Sequence, residues 1–132
     1  MDTARPFNIL IVDDSAMMRA MLKRAVGLAG VPIGTIHEAA DGAAALAVLE
    51  ANPIDALFTD INMPVMSGTE LLRQMAARGW NHIVRVIVST DGSSARRDEV
   101  RDLDVRMYVE KPFAPEVIRD VLAEVCPDPA RG

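Results

Sequence analysis

Five short apolar runs, separated by segments whose apolar residues recur at helical spacing, constrain this chain more than any other feature. The runs are Phe7 to Val12, Thr35 to Ala39, Ala56 to Thr59, Ile83 to Ser89 and Met107 to Val109. They are continuous rather than alternating, which is the pattern of strands covered on both faces. Strands that alternate with helices predict an α/β fold in which helices lie on both faces of a parallel sheet.

The first helix is expected over Ser15 to Ala29, with Met18, Met21, Leu22, Ala25 and Ala29 turned to the sheet and Arg19 and Lys23 off that stripe. Methionines at this spacing read as core filling rather than as a binding surface. Asp41-Gly42 opens a second helix whose apolar side is Ala44, Leu46, Val48 and Leu49, and Asn52-Pro53 stops it. Ser67-Gly68-Thr69-Glu70 matches a capping box, in which the Ser67 hydroxyl and the Glu70 carboxylate each satisfy a backbone N–H, and Gly79 suits a left-handed stop. The fourth helix, Ser94 to Leu103, is crowded with charge and offers only Ala95, Val100 and Leu103 to a core, so it is expected to be the most loosely held. Pro115 suits a first helical position, and Val117, Ile118, Val121, Leu122 and Val125 recur at the period of a packed last helix. Pro127 and Pro129 are expected to end the ordered structure.

At 132 residues the chain fits one domain, read as residues 7–126 between a disordered tail at 1–6 and a flexible tail at 127–132. A net charge of −5 argues against a nucleic-acid partner, whose phosphates call for a basic face. The single cysteine, Cys126, cannot form an internal disulfide and reads as a small apolar helix residue, and no Cys/His cluster has zinc spacing. The start of the chain lacks the pattern of a secretory signal, and no apolar stretch approaches the ~20 residues a bilayer requires. The expectation is a cytoplasmic protein without membrane insertion.

In an open parallel sheet, ligands bind beyond the carboxyl ends of the strands. Asp13 and Asp14 follow the first strand, Asp60 the third, Ser89 and Thr90 close the fourth, and Lys111 follows the fifth. Carboxylates gathered there repel: two unit charges ~4 Å apart cost about 4 kcal/mol at an effective dielectric near 20. Lys111 offsets part, and a hard divalent cation with oxygen ligands, magnesium where phosphate also binds, suits the remainder.

The stretches Ile9-Leu10-Ile11-Val12-Asp13-Asp14-Ser15, Phe58-Thr59-Asp60-Ile61-Asn62-Met63-Pro64 through Gly68, Val88-Ser89-Thr90 and Tyr108-Val109-Glu110-Lys111-Pro112-Phe113, in that order, resemble the response-regulator receiver family, and within it the stand-alone chemotaxis regulators. The resemblance covers about residues 7 to 125. It implies a doubly wound (βα)5, flavodoxin-like three-layer sandwich with a parallel five-stranded sheet of order 2-1-3-4-5.

The resemblance also implies a two-component signalling switch rather than an enzyme, assisting its own phosphorylation and dephosphorylation. Asp60 takes a phosphoryl group from a histidine kinase, a phosphotransfer protein or a small donor such as acetyl phosphate. Asp14, Asp60 and the backbone carbonyl of Asn62 hold Mg2+ directly, with Asp13 acting through water or as support. Lys111 pairs with a phosphoryl oxygen, and the strand-end hydroxyls Ser89 and Thr90 flank the site, Ser89 bonding the phosphoryl group once it arrives. Ser89 and Tyr108 form the switch, while the side chains of Asn62 and Asp91 flank the route of the hydrolytic water and set the lifetime of the acyl phosphate. The output surface is the face of helix 4, strand 5 and helix 5. There Arg96, Arg97, Arg101, Arg106 and Arg119 either attract an acidic partner, such as a flagellar switch segment, or form a solvated surface paired with Asp98, Glu99, Asp102 and Asp104. A monomer is expected.

Three residues depart from the family pattern. Ser89 stands for the commoner threonine, Thr90 adds bulk beside the site, and Asp104 replaces a turn glycine, a position whose left-handed backbone Asp tolerates. His37, His82 and Trp80 are expected away from the rim. A single-domain phosphorelay shuttle and a receiver cut from a longer regulator are the alternatives within this class. A flavin carrier or an aspartyl-phosphate phosphatase on a similar sheet fits less well, because no glycine-rich phosphate loop is present and the aspartates fall on separate strands.

Overall fold

A computed structural model describes residues 6–126. Of the expected tails at 1–6 and 127–132, all but Pro6 lie outside the described residues, Pro127 and Pro129 included. The elements run β1 (Ile9–Val12), α1 (Ala16–Leu28), β2 (Ile36–Ala39), α2 (Gly42–Ala51), β3 (Ala56–Thr59), α3 (Gly68–Ala77), β4 (Val84–Ser89), α4 (Ser94–Glu99), a 3-10 turn (Arg101–Leu103), β5 (Val105–Glu110) and α5 (Pro115–Val125). The strands pair in parallel in the order β2-β1-β3-β4-β5, as expected for a flavodoxin-like sheet.

The strand period of two divides the apolar residues between two cores. Leu10, Val12, Leu57 and Ile87 pack with Leu46 and Leu49 of α2 and Leu71, Leu72 and Met75 of α3. Ile9, Ile11, Phe58, Val86 and Val88 pack on the other face with Leu22 and Val26 of α1 and Ile118 and Leu122 of α5. β1 and β3 are buried throughout, which is why their runs lack polar alternation, whereas the edge strands β2 and β5 keep partly exposed residues.

Serine and aspartate caps set where helices start, because each oxygen accepts a backbone N–H that the first turn leaves unpaired. Ser15 caps α1 by accepting from Met18, Asp41 caps α2 by accepting from Ala44, and Ser67 caps α3 by accepting from Glu70. The reciprocal half of the expected capping box is replaced by pairs along the helix, since the Glu70 carboxylate accepts from Gln74 at 3.0 Å and lies 3.8 Å from Arg73. Gly79 ends α3 at φ 72°, the left-handed conformation expected of it.

Several helix faces differ from expectation. Met21 is 47% exposed, and Val26 takes its place against the sheet. Ala44, Ala95 and Val117 also face solvent, while Ala45 and Ile118 supply the buried contacts. Helical period alone leaves the rotation of a stripe uncertain by one residue when the flanking residues are also apolar. The fourth helix stops at Glu99 and buries none of its residues, and the core contacts of that segment come from Val100 and Leu103 beyond it. β5 is longer than its apolar run, because Val105, Arg106 and Glu110 extend it as an edge strand.

Arg85 lies within the fourth apolar run and is nevertheless buried. Its guanidinium donates to the Trp80 carbonyl and, at 3.2 Å, to the Asp104 carboxylate, and Nε has no partner. Burial pulls the Arg85 pKa down, against the attraction of Asp104. Asp104 has φ 61°, so the left-handed turn expected there is formed by aspartate.

Candidate functional site

The sheet register brings the strand ends together. Val12 pairs with Thr59 across β1 and β3, so the residues that follow, Asp13 and Asp60, stand side by side. The Asp60 N–H donates to the Val12 carbonyl at 3.0 Å, and across the sheet the Lys111 N–H donates to the Ser89 carbonyl at 2.8 Å. Gly68 lets the start of α3 approach this rim: a Cβ there would lie 2.0 Å from the Asp60 carbonyl oxygen.

Lys111 Nζ donates to Asp13 Oδ2 at 2.7 Å and to Asp60 Oδ2 at 3.0 Å. The second oxygens are held by the main chain, Asp13 Oδ1 accepting from the Ser15 N–H at 2.9 Å and Asp60 Oδ1 from the Ile61 N–H at 2.7 Å. Burial of Lys111 disfavours its charge, but the bonds to Asp13 and Asp60 outweigh this and hold its pKa above the ordinary lysine value. The exposed Asp14 completes the group, since one carboxylate oxygen from each of Asp13, Asp14 and Asp60 lies within 4.8 Å of the others. One lysine offsets one of these charges, so an all-oxygen donor set with residual negative charge fits a hard divalent cation.

Ser89 is fully buried, and its hydroxyl accepts from the Asp91 N–H at 3.2 Å. Thr90 beside it is exposed. The half-buried Tyr108 donates its hydroxyl to the Asp91 carbonyl, and the Arg97 guanidinium lies 4.4 Å over its ring. Desolvation raises the Tyr108 pKa above that of a free phenol, against an opposing hydrogen bond with Ser89. Ser89 and Tyr108 thus meet on the same loop, the one between β4 and α4.

Asn62 and Asp91 are joined through a residue that sequence reasoning placed only on the outer surface. Arg96 donates from Nε to Asp91 Oδ2 at 3.1 Å and from NH2 to Asn62 Oδ1 at 3.2 Å. Bonds from Ser93 and then from Arg96 lower the Asp91 pKa. No local pattern signals this contact, because Asn62 and Arg96 are 34 residues apart.

The remaining arginines of that face are also paired: Arg97 with Glu110, Arg101 with Asp98, Arg106 with Glu124 and Arg119 with Asp120. This favours the solvated, ion-paired reading over a free basic patch. Between β5 and α5 lies an open groove of about 500 Å3 lined by Tyr108, Val109, Phe113, Val117 and Val121, with Arg97 at its border. Trp80 and His82 sit before β4, at the opposite end of the sheet, and His37 lies within β2 opposite Leu10, so all three are away from the rim as expected. Among the described residues no helix is long and apolar enough to cross a membrane.

Comparison with known proteins agrees with this geometry. The family model described as a response regulator receiver domain matches residues 9–123. A chemotaxis protein CheY of Pseudomonas aeruginosa is 34% identical over 118 residues, covering 89% of this chain and 94% of that protein. A CheY homolog of Campylobacter jejuni is 33% identical over 119 residues, with 89% and 90% covered. Among solved structures, the chemotaxis response regulator CheY4 of Vibrio cholerae superposes with a TM-score of 0.80 at 29% identity, covering 92% of this chain and 99% of that one.

Proposed function

The chain belongs to the response regulator receiver family of two-component signalling proteins, and from that premise we propose that Asp60 is the phosphoacceptor of a signalling switch spanning residues 7–126. Receiver domains are signalling domains that meet histidine kinases and downstream targets, rather than enzymes in the ordinary sense. The observation that carries the proposal is the single ammonium of Lys111 bonded to both Asp13 and Asp60, with an oxygen of Asp14 in reach.

An Asp60 carboxylate oxygen attacks the phosphorus of a phosphohistidine on a kinase or phosphotransfer protein. The P–N bond breaks, a P–O bond to Asp60 forms, and the imidazole leaves with its electron pair. A loose phosphoryl-transfer transition state asks mainly for positioning and charge stabilisation. Lys111 supplies positive charge beside the acceptor oxygen. Asp14, Asp60 and the Asn62 carbonyl would hold Mg2+, with Asp13 supporting, and the ion would neutralise charge on the transferred group. The supporting part suits Asp13, which is buried and bonded to Lys111 at 2.7 Å, whereas the exposed Asp14 is open to an ion.

Once the phosphoryl group is in place, the Ser89 hydroxyl turns from the Asp91 N–H to a phosphoryl oxygen, with Thr90 beside it. The loop to α4 follows, and Tyr108, bonded to the same loop, moves with it. The groove between β5 and α5 is where this change is read by a downstream target, in chemotaxis, as the names of the relatives suggest, with flagellar motor control as the specific form proposed. Asn62 and Asp91 set the lifetime of the acyl phosphate. The reading carries with it a monomeric, cytoplasmic protein that binds no nucleic acid.

Intact mass spectrometry after incubation with acetyl phosphate and Mg2+ tests the proposal. One phosphoryl adduct is expected on the wild-type chain and none on Asp60→Asn. An adduct of equal yield on the variant, or none on the wild type under conditions that preserve acyl phosphates, would refute it.

A further inference from the structure

α4 places no side chain in either core, yet its first turn is tied firmly to the body. Arg96 donates from Nε to Asp91 Oδ2, from NH2 to Asn62 Oδ1 and, along the helix, from NH1 to Glu99 Oε1 at 2.9 Å. Asp91 is held from its other oxygen as well, because Oδ1 accepts the Ser93 N–H at 3.1 Å. Asn62 lies two residues beyond Asp60 and Asp91 two residues beyond Ser89. One planar guanidinium therefore bridges the loops that leave β3 and β4 at the mouth of the acidic site.

We propose that Arg96 is a positioning residue that fixes the side chains of Asn62 and Asp91 across this mouth and thereby slows the loss of the phosphoryl group from Asp60. The inference rests on the reading of Asp60 as phosphoacceptor. In hydrolysis a water oxygen attacks the phosphorus from the side opposite the Asp60 oxygen. The P–O bond to Asp60 breaks, the carboxylate is regenerated, inorganic phosphate departs and the proton of the water passes to solvent. That in-line approach needs an open path. Side chains free to swing leave the path open part of the time, whereas side chains pinned to one guanidinium keep it closed. The fork of arginine suits the task, since it presents several donors in a fixed plane, while a lysine ammonium holds a single point on a flexible stem.

The test follows the decay of the adduct by intact mass after the wild-type chain has been loaded with acetyl phosphate and Mg2+ and the donor removed. Arg96→Ala is expected to lose its adduct about threefold faster or more, and Arg96→Lys to fall between it and wild type. In an Asn62→Ala background, where one of the two bridged side chains is already gone, Arg96→Ala is expected to change the decay less than it does alone, which separates action through Asn62 from a general loosening of the fold. Arg101→Ala removes the same charge from the same segment, where Arg101 pairs with Asp98, and is expected to decay like wild type. Arg96→Ala decaying at the wild-type rate or more slowly, or its effect persisting undiminished in the Asn62→Ala background, overturns the inference and leaves the phosphoacceptor assignment standing. No adduct on the wild-type chain overturns both.

Discussion

Lys111 and Asp13 are 98 residues apart in the chain, and their side chains meet at 2.7 Å. The contact is 0.3 Å shorter than the one from the same ammonium to Asp60, at 3.0 Å. Lys111 is thus anchored to Asp13 while its charge also reaches Asp60, the proposed phosphoacceptor.

Removing that charge should separate metal binding from phosphorylation. In Lys111→Met the carboxylates keep their positions but lose the cation that competes for them, so Mg2+ is expected to bind about tenfold more tightly, as the loss of a nearby like charge implies. Phosphorylation by acetyl phosphate is expected to fall tenfold or more, because no ammonium then meets the incoming oxygens. Calorimetric titration with Mg2+ and adduct formation by mass spectrometry read the two effects separately. Weaker Mg2+ binding in the variant would contradict the arrangement.

The chain has one tyrosine, so phenolate absorbance reports Tyr108 alone. Desolvation raises its pKa above 10.0 despite the hydrogen bond with Ser89. For an acid whose pKa is higher folded than unfolded, the associated stability is intact below the unfolded value and is lost as pH rises through the folded one. The absorbance midpoint of the native chain is expected above that of the chain in denaturant. A native midpoint equal to that in denaturant would mean that Tyr108 turns outward in solution, and a lower one would contradict its desolvation.

Asp104→Asn keeps a side chain that tolerates the left-handed backbone while removing the charge that faces Arg85. The Asp104 side chain is 78% exposed and solvent screens much of the pair, so the expected loss is about 1 kcal/mol in urea unfolding rather than the several that breaking a fully buried pair brings. Asp104→Ala should cost more, since it adds strain at φ 61° to the loss of charge.

Val65 adopts φ 67° while 85% exposed, a conformation that a β-branched side chain strongly disfavours and for which no packing compensates. Val65→Asn is expected to stabilise the fold by about 1 kcal/mol in the same urea experiment. A destabilised variant would show that this valine makes a contact in solution that its exposure does not suggest.

The rim residues were legible because each follows an apolar run, and parallel register carries runs of similar length to a common edge. The strand order came with the family resemblance, and the start of α3 with its serine cap. What escaped notice depended on distant partners. Arg85 interrupts an apolar run that still reads as a strand, and the Trp80 carbonyl and Asp104, supplied from outside the strand, make its burial tolerable. Arg96 looked like one of several surface arginines, since nothing near it in sequence announces Asn62. Met21 and Val117 sit one position from residues that face the cores, a rotation too small for spacing alone to resolve.

A helix without an apolar anchor changes the terms on which a partner can bind. Displacing α4 breaks the polar ties of Arg96 but exposes no buried side chain of its own, so the displaced form lies closer in free energy to the resting one than any form with a disrupted core. A target that captures only the displaced form therefore forfeits little affinity to the scarcity of that form, and modest contacts suffice to select it.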